Sequence, residues 1–580
     1  MRNQLAGMVL AISLLATLGP VSRAAAIPGD FNNDGTVGLD DLVYFVKQFS
    51  SCKSGGSWDS ACNLDGAGAL THSDAQLMVE DYLQGAVVDS TATLSLSTAS
   101  DWIVQEGASD IEWTDAHVRL KEQNTPHFLS NLAVPSPQAG VYFVDDDQHL
   151  LIAGNLYCNS RWLPYLAKVD LKGNVIFQKD YCDNINLGYS YYDSIMLGYN
   201  NGIIQVKTDP SGSIYAPVRP ARSSNYDLGI CKFTSSGAVQ WCSFMNTFDY
   251  DPAYGSDAGD ERSYDAAVYA PDNAAYMFGR GPNLQNFVIA RFDATTGARQ
   301  WVTWYQNPGN DECWTGAVDS TGNPIAAGYV DDGAPNKNLG ILKLSPSGNV
   351  LWFRDYDPGG GWDVLRGIRT DKDDSVLASG NPGVIKYDKY GNLKWFAYFG
   401  FDATRMELDR FGNAYSFYGG MNKVSNATGE LQWSFHDDVN VGDACSGSIG
   451  KSGLIAAAGS VYRGGFALIS QGYAIRATLV CKNPILYRRL TSFSADIPSY
   501  SLGCVSFQLS PDGQKWYYYD GSKWSQTSAY DANSADAVNA HLTEYSDIFH
   551  DRSLYIKIIL DSQGGDYSAE LSSLSICYKG

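Results

Sequence analysis

Basic charge is what this sequence is short of. Its 41 lysines and arginines stand against 63 aspartates and glutamates, a formal net charge of −22 at pH 7. Nucleic acids and anionic membrane surfaces are held by clustered basic side chains, so neither is an expected partner. Long apolar runs are scarce as well: after the N-terminus no segment approaches the roughly 20 apolar residues of a membrane-spanning helix, and no membrane insertion is expected. The seven histidines are scattered without ligand spacing. There is no Gly-x-Ser-x-Gly elbow and no His-Glu-x-x-His pair, and Gly450-Lys451-Ser452 lacks the glycine of a phosphate loop because Cys445 stands there. No catalytic and no organic-cofactor residue is assigned. The paired carboxylates of a glycosidase leave no local signature, so the reading leans away from an enzyme without closing that class.

What is present starts with Arg2, an apolar run from Leu5 to Leu18 and the small residues Ala24-Ala25-Ala26. Residues 1–26 read as a signal peptide, and the mature chain is expected to be secreted. A length of 580 residues points to three or four domains, and 44% hydrophobic residues supply cores for them. Eleven cysteines in an exported chain suggest disulfides, with one thiol left over by the odd count.

Residues 27–86 carry two loops built for a hard cation. The first runs from Asp30 to Asp41, with Asp30, Asn32, Asp34 and Asp41 at positions 1, 3, 5 and 12, Gly35 at 6 for the sharp turn, and the Thr36 carbonyl at 7. Leu42, Phe45, Val46 and Phe49 follow at the i, i+3, i+4, i+7 spacing of an amphipathic helix. A second loop places Asn63, Asp65 and Asp74 at positions 1, 3 and 12, with the Ala69 carbonyl at 7. Its position 5 is Ala67, so weaker calcium binding is expected there. Ala75, Met78, Val79 and Tyr82 share one face of the helix expected to follow. Cys52 and Cys62 lie between the two units, where a disulfide would close a short loop.

Paired calcium loops that end in aspartate, each followed by one helix, resemble a dockerin. The resemblance implies docking, in calcium, to a cohesin-like or other extracellular protein. Positions 10 and 11, which help choose the partner in that family, are Leu39-Asp40 in one loop and His72-Ser73 in the other. The two repeats therefore differ where the family's are nearly alike, and two-way symmetric docking is not carried over.

From 137 to 480 a phrase recurs: an apolar strand, a short glycine-containing turn, and a strand ending in a large aromatic. Leu166–Asp170 with Gly173–Phe177, and Ile341–Leu344 with Gly348–Trp352, are two instances; the others end at Trp241, Trp301, Trp395 and Trp433. A second hairpin-like unit, such as 317–328, precedes each copy. Two hairpins per repeat make a four-stranded blade, and the region resembles the β-propellers of secreted bacterial proteins. About seven blades are expected, the last a degenerate one near 441–480. The recurrent tryptophans read as packing between blades. A short turn at Ser236-Gly237 sets Cys231 opposite Cys242 for a cross-strand disulfide, and Cys158 with Cys182 forms a second candidate pair. The acidic insert from Asp249 to Asp265 reads as a solvated loop.

Residues 87–136 read as a linker or β segment, strand-like over 90–130. Residues 481–580 are similar to a β-sandwich-like module, with the turn Ser510-Pro511-Asp512-Gly513 and Trp516, Tyr518 and Trp524 as core aromatics. The fold class expected is thus mainly all-β: a propeller with a small α-helical calcium module before it and a β-sandwich-like domain after it. The expected function is that of a non-catalytic binding or assembly component, with calcium as its ion and an extracellular polysaccharide as one ligand; the alternative is a dockerin-borne polysaccharide hydrolase or lyase.

Overall fold

The computed structural model describes residues 31, 39–53, 57, 62, 71, 74–75, 77–78 and 89–579, apart from 95, 97–98, 115–116, 133–138, 145–146, 159–160, 182–193, 198–204, 223–224, 246–260, 283–285, 307–308, 332–336, 360, 401, 418–419, 437–445, 459–465, 488, 528–529 and 550–551.

Seven antiparallel sheets form a ring. The first six follow the chain in order, at 139–180, 194–245, 262–305, 312–356, 364–398 and 405–435. The seventh joins three strands from 446–470 to His127–Leu132, which pairs along Phe466–Ser470 as its outermost strand. Seven apolar cores glue each sheet to the next. One holds Leu166 against Phe233, another Met277 against Ile230, and a third Phe278 against Leu342. Next come Ile341 against Ile368, Leu377 against Met406, and Phe417 against Ile469. The last sets Ile152 of the first sheet against Leu468 of the seventh, which closes the ring. This is a β-propeller. Strands within a blade are covered on both faces, which is why second strands such as Ala274–Arg280 and Pro324–Val330 are buried throughout and read as apolar runs rather than alternations.

Antiparallel order puts the turns between first and second and between third and fourth strands on one face of the ring, and the longer connections on the other. The short turns share a construction. Asp319 Oδ1 accepts from the backbone N–H groups of Thr321 and Asn323, at 2.9 and 3.0 Å. Gly322 supplies the positive φ of 85° that completes the bend. Asp170, Asp209, Asp388 and Asp409 repeat the bond to the fourth residue. Gly450-Lys451-Ser452 is the corresponding turn of the seventh sheet, where the Gly450 N–H donates to Leu454 O at 2.8 Å.

The segment expected to be a linker or β segment supplies strands to two bodies. His127–Leu132 closes the propeller, while Asp89–Leu94, Trp102–Glu106 and Val118–Leu120 pair with Ser573–Lys579, Arg476–Cys481 and Glu570–Leu571. The propeller is therefore inserted between the two halves of an outer β module. Its single core includes Trp102, Leu120, Phe507 and Ile558, closed on one side by two short helices, Ala535–Ala540 and Leu542–Ile548. Trp524 is buried in that core; Trp516 is buried outside it, with Lys557 Nζ 4.3 Å over its ring, and Tyr518 is half-buried. The module rests on the short-turn face of the propeller, where Arg410 pairs with Glu570, Lys423 with Glu122, and Gln148 Nε2 donates to Ser499 O at 3.0 Å.

Candidate functional site

Of the expected calcium ligands, Asp41 and Asp74 are described; Asp30, Asn32, Asp34, Thr36, Asn63, Asp65 and Ala69 lie outside the described residues. Asp41 sits in the first turn of the helix Leu39–Lys53 and is 1% exposed, and its Oδ1 accepts from the Phe31 N–H at 2.7 Å. That bond folds the start of the loop back on its end. Leu42 and Phe45 of the expected apolar face are buried, Val46 and Phe49 are half-buried, and the Phe31 ring lies 6.3 Å from that of Phe45. Asp74 is fully buried and accepts from the Thr71 N–H at 2.7 Å; Ala75 and Met78 are buried beside it. Both described side chains are buried carboxylates, oxygen donors of the kind Ca²⁺ takes.

Cys231 and Cys242 face each other across the ladder and form a disulfide. Cys182 and the side chains of Cys52 and Cys158 lie outside the described residues. In the acidic insert, Asp249, Asp251, Asp257 and Asp260 also lie outside them, while Glu261 and Asp265 are buried rather than solvated. Asp265 belongs to the first strand of the third sheet, Arg262–Tyr269, which lies toward the axis of the ring.

There the innermost strands carry chemistry that the Trp-ended phrases did not reveal. The inner strand of the second sheet is interrupted: Leu197 pairs with Val218 and Lys207 with Tyr215, so nine residues stand between the pairs on one strand and two on the other. The described end of this insertion turns into the channel. The Val206 N–H donates to Tyr142 Oη of the first sheet at 3.1 Å. Gln205 Nε2 reaches Thr315 Oγ1 of the fourth sheet at 3.5 Å and Arg366 O of the fifth at 3.4 Å. A single glutamine thus ties the second blade to two others across the axis.

Around it stands a polar network to which every blade contributes. Glu407 of the sixth sheet accepts from Arg369 of the fifth, Nε at 2.8 Å and Nη2 at 2.5 Å, and from Arg405 Nη2 at 2.7 Å. Arg405 also donates to Ser446 Oγ of the seventh sheet at 3.1 Å and lies 4.0 Å over the Tyr142 ring. Asp265 Oδ2 accepts from Thr315 Oγ1 and the Gly316 N–H, both at 3.0 Å. Burial alone would raise the Glu407 carboxyl, but Arg369 and Arg405 hold it well below the usual carboxylate range. Lys207 moves the other way: burial, then Arg369, pull its ammonium down to about 8. Arg369 and Glu407 also line a cavity of about 300 Å³, shared with Asp371, Lys372 and Arg410.

At the mouth on the opposite face, three consecutive inner strands bulge at the same place, leaving Tyr264, Trp314 and Arg366 without ladder partners. A bulge re-aims its side chain, and these three form a stack. Tyr264 and Trp314 are parallel within 15° at 4.9 Å, and the Arg366 guanidinium lies 5.2 Å over Trp314. Tyr264 donates to Glu312 Oε1 at 2.6 Å, and Arg366 pairs with Asp402.

No protein-family model matches the chain, and no curated protein matches it. Solved structures with some likeness include the WD40 β-propeller domain of Doa1, 12% identical with a TM-score of 0.40, over 60% of this chain and 97% of that one. Another is a protein of unknown function from Bacteroides caccae, 11% identical with a TM-score of 0.29, over 40% of this chain and 78% of that one. The propeller fold itself is read from the strand order and the closed ring of cores. Among the described residues no helix is long and apolar enough to cross a membrane.

Proposed function

We propose that this chain is a secreted, calcium-binding, dockerin-bearing propeller protein that works as a non-catalytic binding or assembly component. On this reading residues 1–26 are removed, residues 27–86 fold around calcium and dock to a cohesin-like or other extracellular protein, and a seven-bladed propeller carried in an outer β module recognises an extracellular ligand such as a polysaccharide. The observation that carries the calcium half is the pair of buried loop-closing carboxylates, Asp41 and Asp74, each bonded back to a backbone N–H of its own loop. Small metal modules gain their folding energy from the ion, so docking should follow calcium.

The test is retention of partners from the culture medium and envelope of the source cells by the mature protein, in calcium and in chelator. A partner held only in calcium supports docking. Identical retention in both conditions, or none in either, sinks it.

A further inference from the structure

We propose that the central channel is a binding site for a single carboxylate group, received by the ammonium of Lys207. The inference deepens the recognition half of the function above and rests on that half; it does not require the calcium module.

The argument is one of charge balance in a confined space. Three cationic side chains, Lys207, Arg369 and Arg405, meet two carboxylates, Asp265 and Glu407. Both carboxylates are already engaged. Glu407 takes the two arginines, and Asp265 takes the Thr315 hydroxyl and two backbone N–H groups, those of Gly316 and Ala266. The arginines are occupied too, through Glu407, Ser446 Oγ and the Ile368 carbonyl. Among the described residues, Lys207 Nζ has neither a hydrogen bond nor an ion pair. One positive charge is therefore left over, in a chain whose total is −22.

Uncompensated charge in protein surroundings is expensive, and it is relieved by losing the proton or by gaining a counter-charge. The depression of Lys207 marks the first route, and a bound anion is the second. The neighbourhood also holds an acceptor without a donor: Gln205 is fully buried and its Oε1 has no hydrogen-bond partner. A protonated lysine that settles a carboxylate leaves one further N–H to turn toward such an oxygen. Arg369 and Glu407 of the same network border a cavity of about 300 Å³, which Lys207 itself does not line.

A carboxylate fits better than a neutral sugar ring. Lys207 offers a point charge with three donors, and the aromatic groups nearby are committed: the Tyr142 face is covered by Arg405 and its hydroxyl accepts from Val206. Two sources carry that chemistry, a free small organic acid and the uronate unit of an acidic polysaccharide. Because binding needs the charged amine, affinity should fall as pH rises through Lys207's titration near 8. The groups facing it are Arg369 and Arg405 on one side and Asp265 and Glu407 on the other.

The deciding experiment is calorimetric titration of the full mature protein with acetate, with glucuronate and with an oligouronate, at pH 7 and pH 9. It is repeated with Lys207→Gln and Lys207→Arg, each checked by thermal melting. Expected is binding of at least one of these acids to the wild type, weaker at pH 9, about tenfold or more weaker in K207Q and kept in K207R. Acetate and glucuronate binding alike would assign a small-acid site, and oligouronate alone a polymer site. No binding of any of the three, or equal binding by folded K207Q, would overturn the proposal. A neutral glycan bound under those conditions would then leave the recognition function standing.

Discussion

The indole Nε1 of Trp301 donates to the backbone carbonyl of Pro346, in the outer turn of the next blade, at 2.9 Å. The same bond recurs from Trp241 to Ala294, from Trp352 to Lys389 and from Trp395 to Asn426, at 3.1 to 3.2 Å. Each is a stitch between neighbours that does not depend on burial alone. Trp433 occupies the equivalent place in the sixth blade and is as buried as Trp352, while Trp241, Trp301 and Trp395 are half-buried; among the described residues its Nε1 has no partner. The reason is topological: the outer hairpin of the seventh blade is replaced by two separate chain segments, so the turn carbonyl is missing.

Trp→Phe changes should separate these cases. Trp352 and Trp433 lose a similar apolar area, but only the stitched Trp352 loses a hydrogen bond, a net difference of about 1 kcal/mol. Urea unfolding should find Trp352→Phe more destabilised than Trp433→Phe by roughly that amount. Equal losses at the two positions would show that the bond contributes nothing measurable.

Packing between inner strands is tighter still at Gly316. A Cβ built there falls 2.1 Å from the Phe278 ring of the preceding blade. Gly316→Ala should therefore cost about 1–3 kcal/mol through overpacking, and Phe278→Leu in the same chain should return part of it. A double-mutant cycle by chemical denaturation reads this directly; strict additivity would count against the contact.

The outer face of each blade was legible in the sequence because it is built from local rules. A glycine turn fixes the register, so Cys231 could be set opposite Cys242, and a tryptophan at one end of a repeated strand announces a repeated neighbour. The axis was not legible for the opposite reason. Lys207, Asp265, Arg369, Arg405 and Glu407 come from four blades and meet only once the ring closes. Their one local signal is a charged residue amid apolar neighbours in the strand before each short turn, as in Val364-Leu365-Arg366-Gly367-Ile368-Arg369. The role of His127–Leu132 was hidden likewise, since its ladder partner lies more than three hundred residues away.

Low pH should act through the short turns. Burial raises the Asp319 carboxyl, but Lys343 at 2.7 Å and the Asn323 side chain and backbone outweigh it, and the carboxyl ends below its ordinary value of 3.8. Asp371, bridged to Lys386 at 2.9 Å, is lowered in the same way. A carboxyl with a depressed folded pKa contributes its full stability above the unfolded value and loses it as pH falls through the folded one. The propeller's melting temperature should therefore be flat near neutrality and drop below about pH 4. Asp319→Asn should lower the plateau and shallow the acid limb; an unchanged acid limb would remove the turn carboxylates from the account.

Calcium should act on the N-terminal module alone, and unequally on its two loops. Asp41 closes the loop whose oxygen set is complete, whereas Asp74 closes one that has Ala67 at position 5. Replacing Asp41 by alanine removes both the proposed ion ligand and the acceptor of the Phe31 N–H, and so should loosen the ring of Phe31 from Tyr44 and Phe45. In the full chain, protease cleavage within residues 27–86 should be slow in calcium and fast in chelator. Asp41→Ala should be fast in both, while Asp74→Ala should keep most of the calcium protection, because ligand number sets affinity. Cleavage of the wild type at one rate in both conditions would show that the loops hold no ion, and the docking function would fall with them.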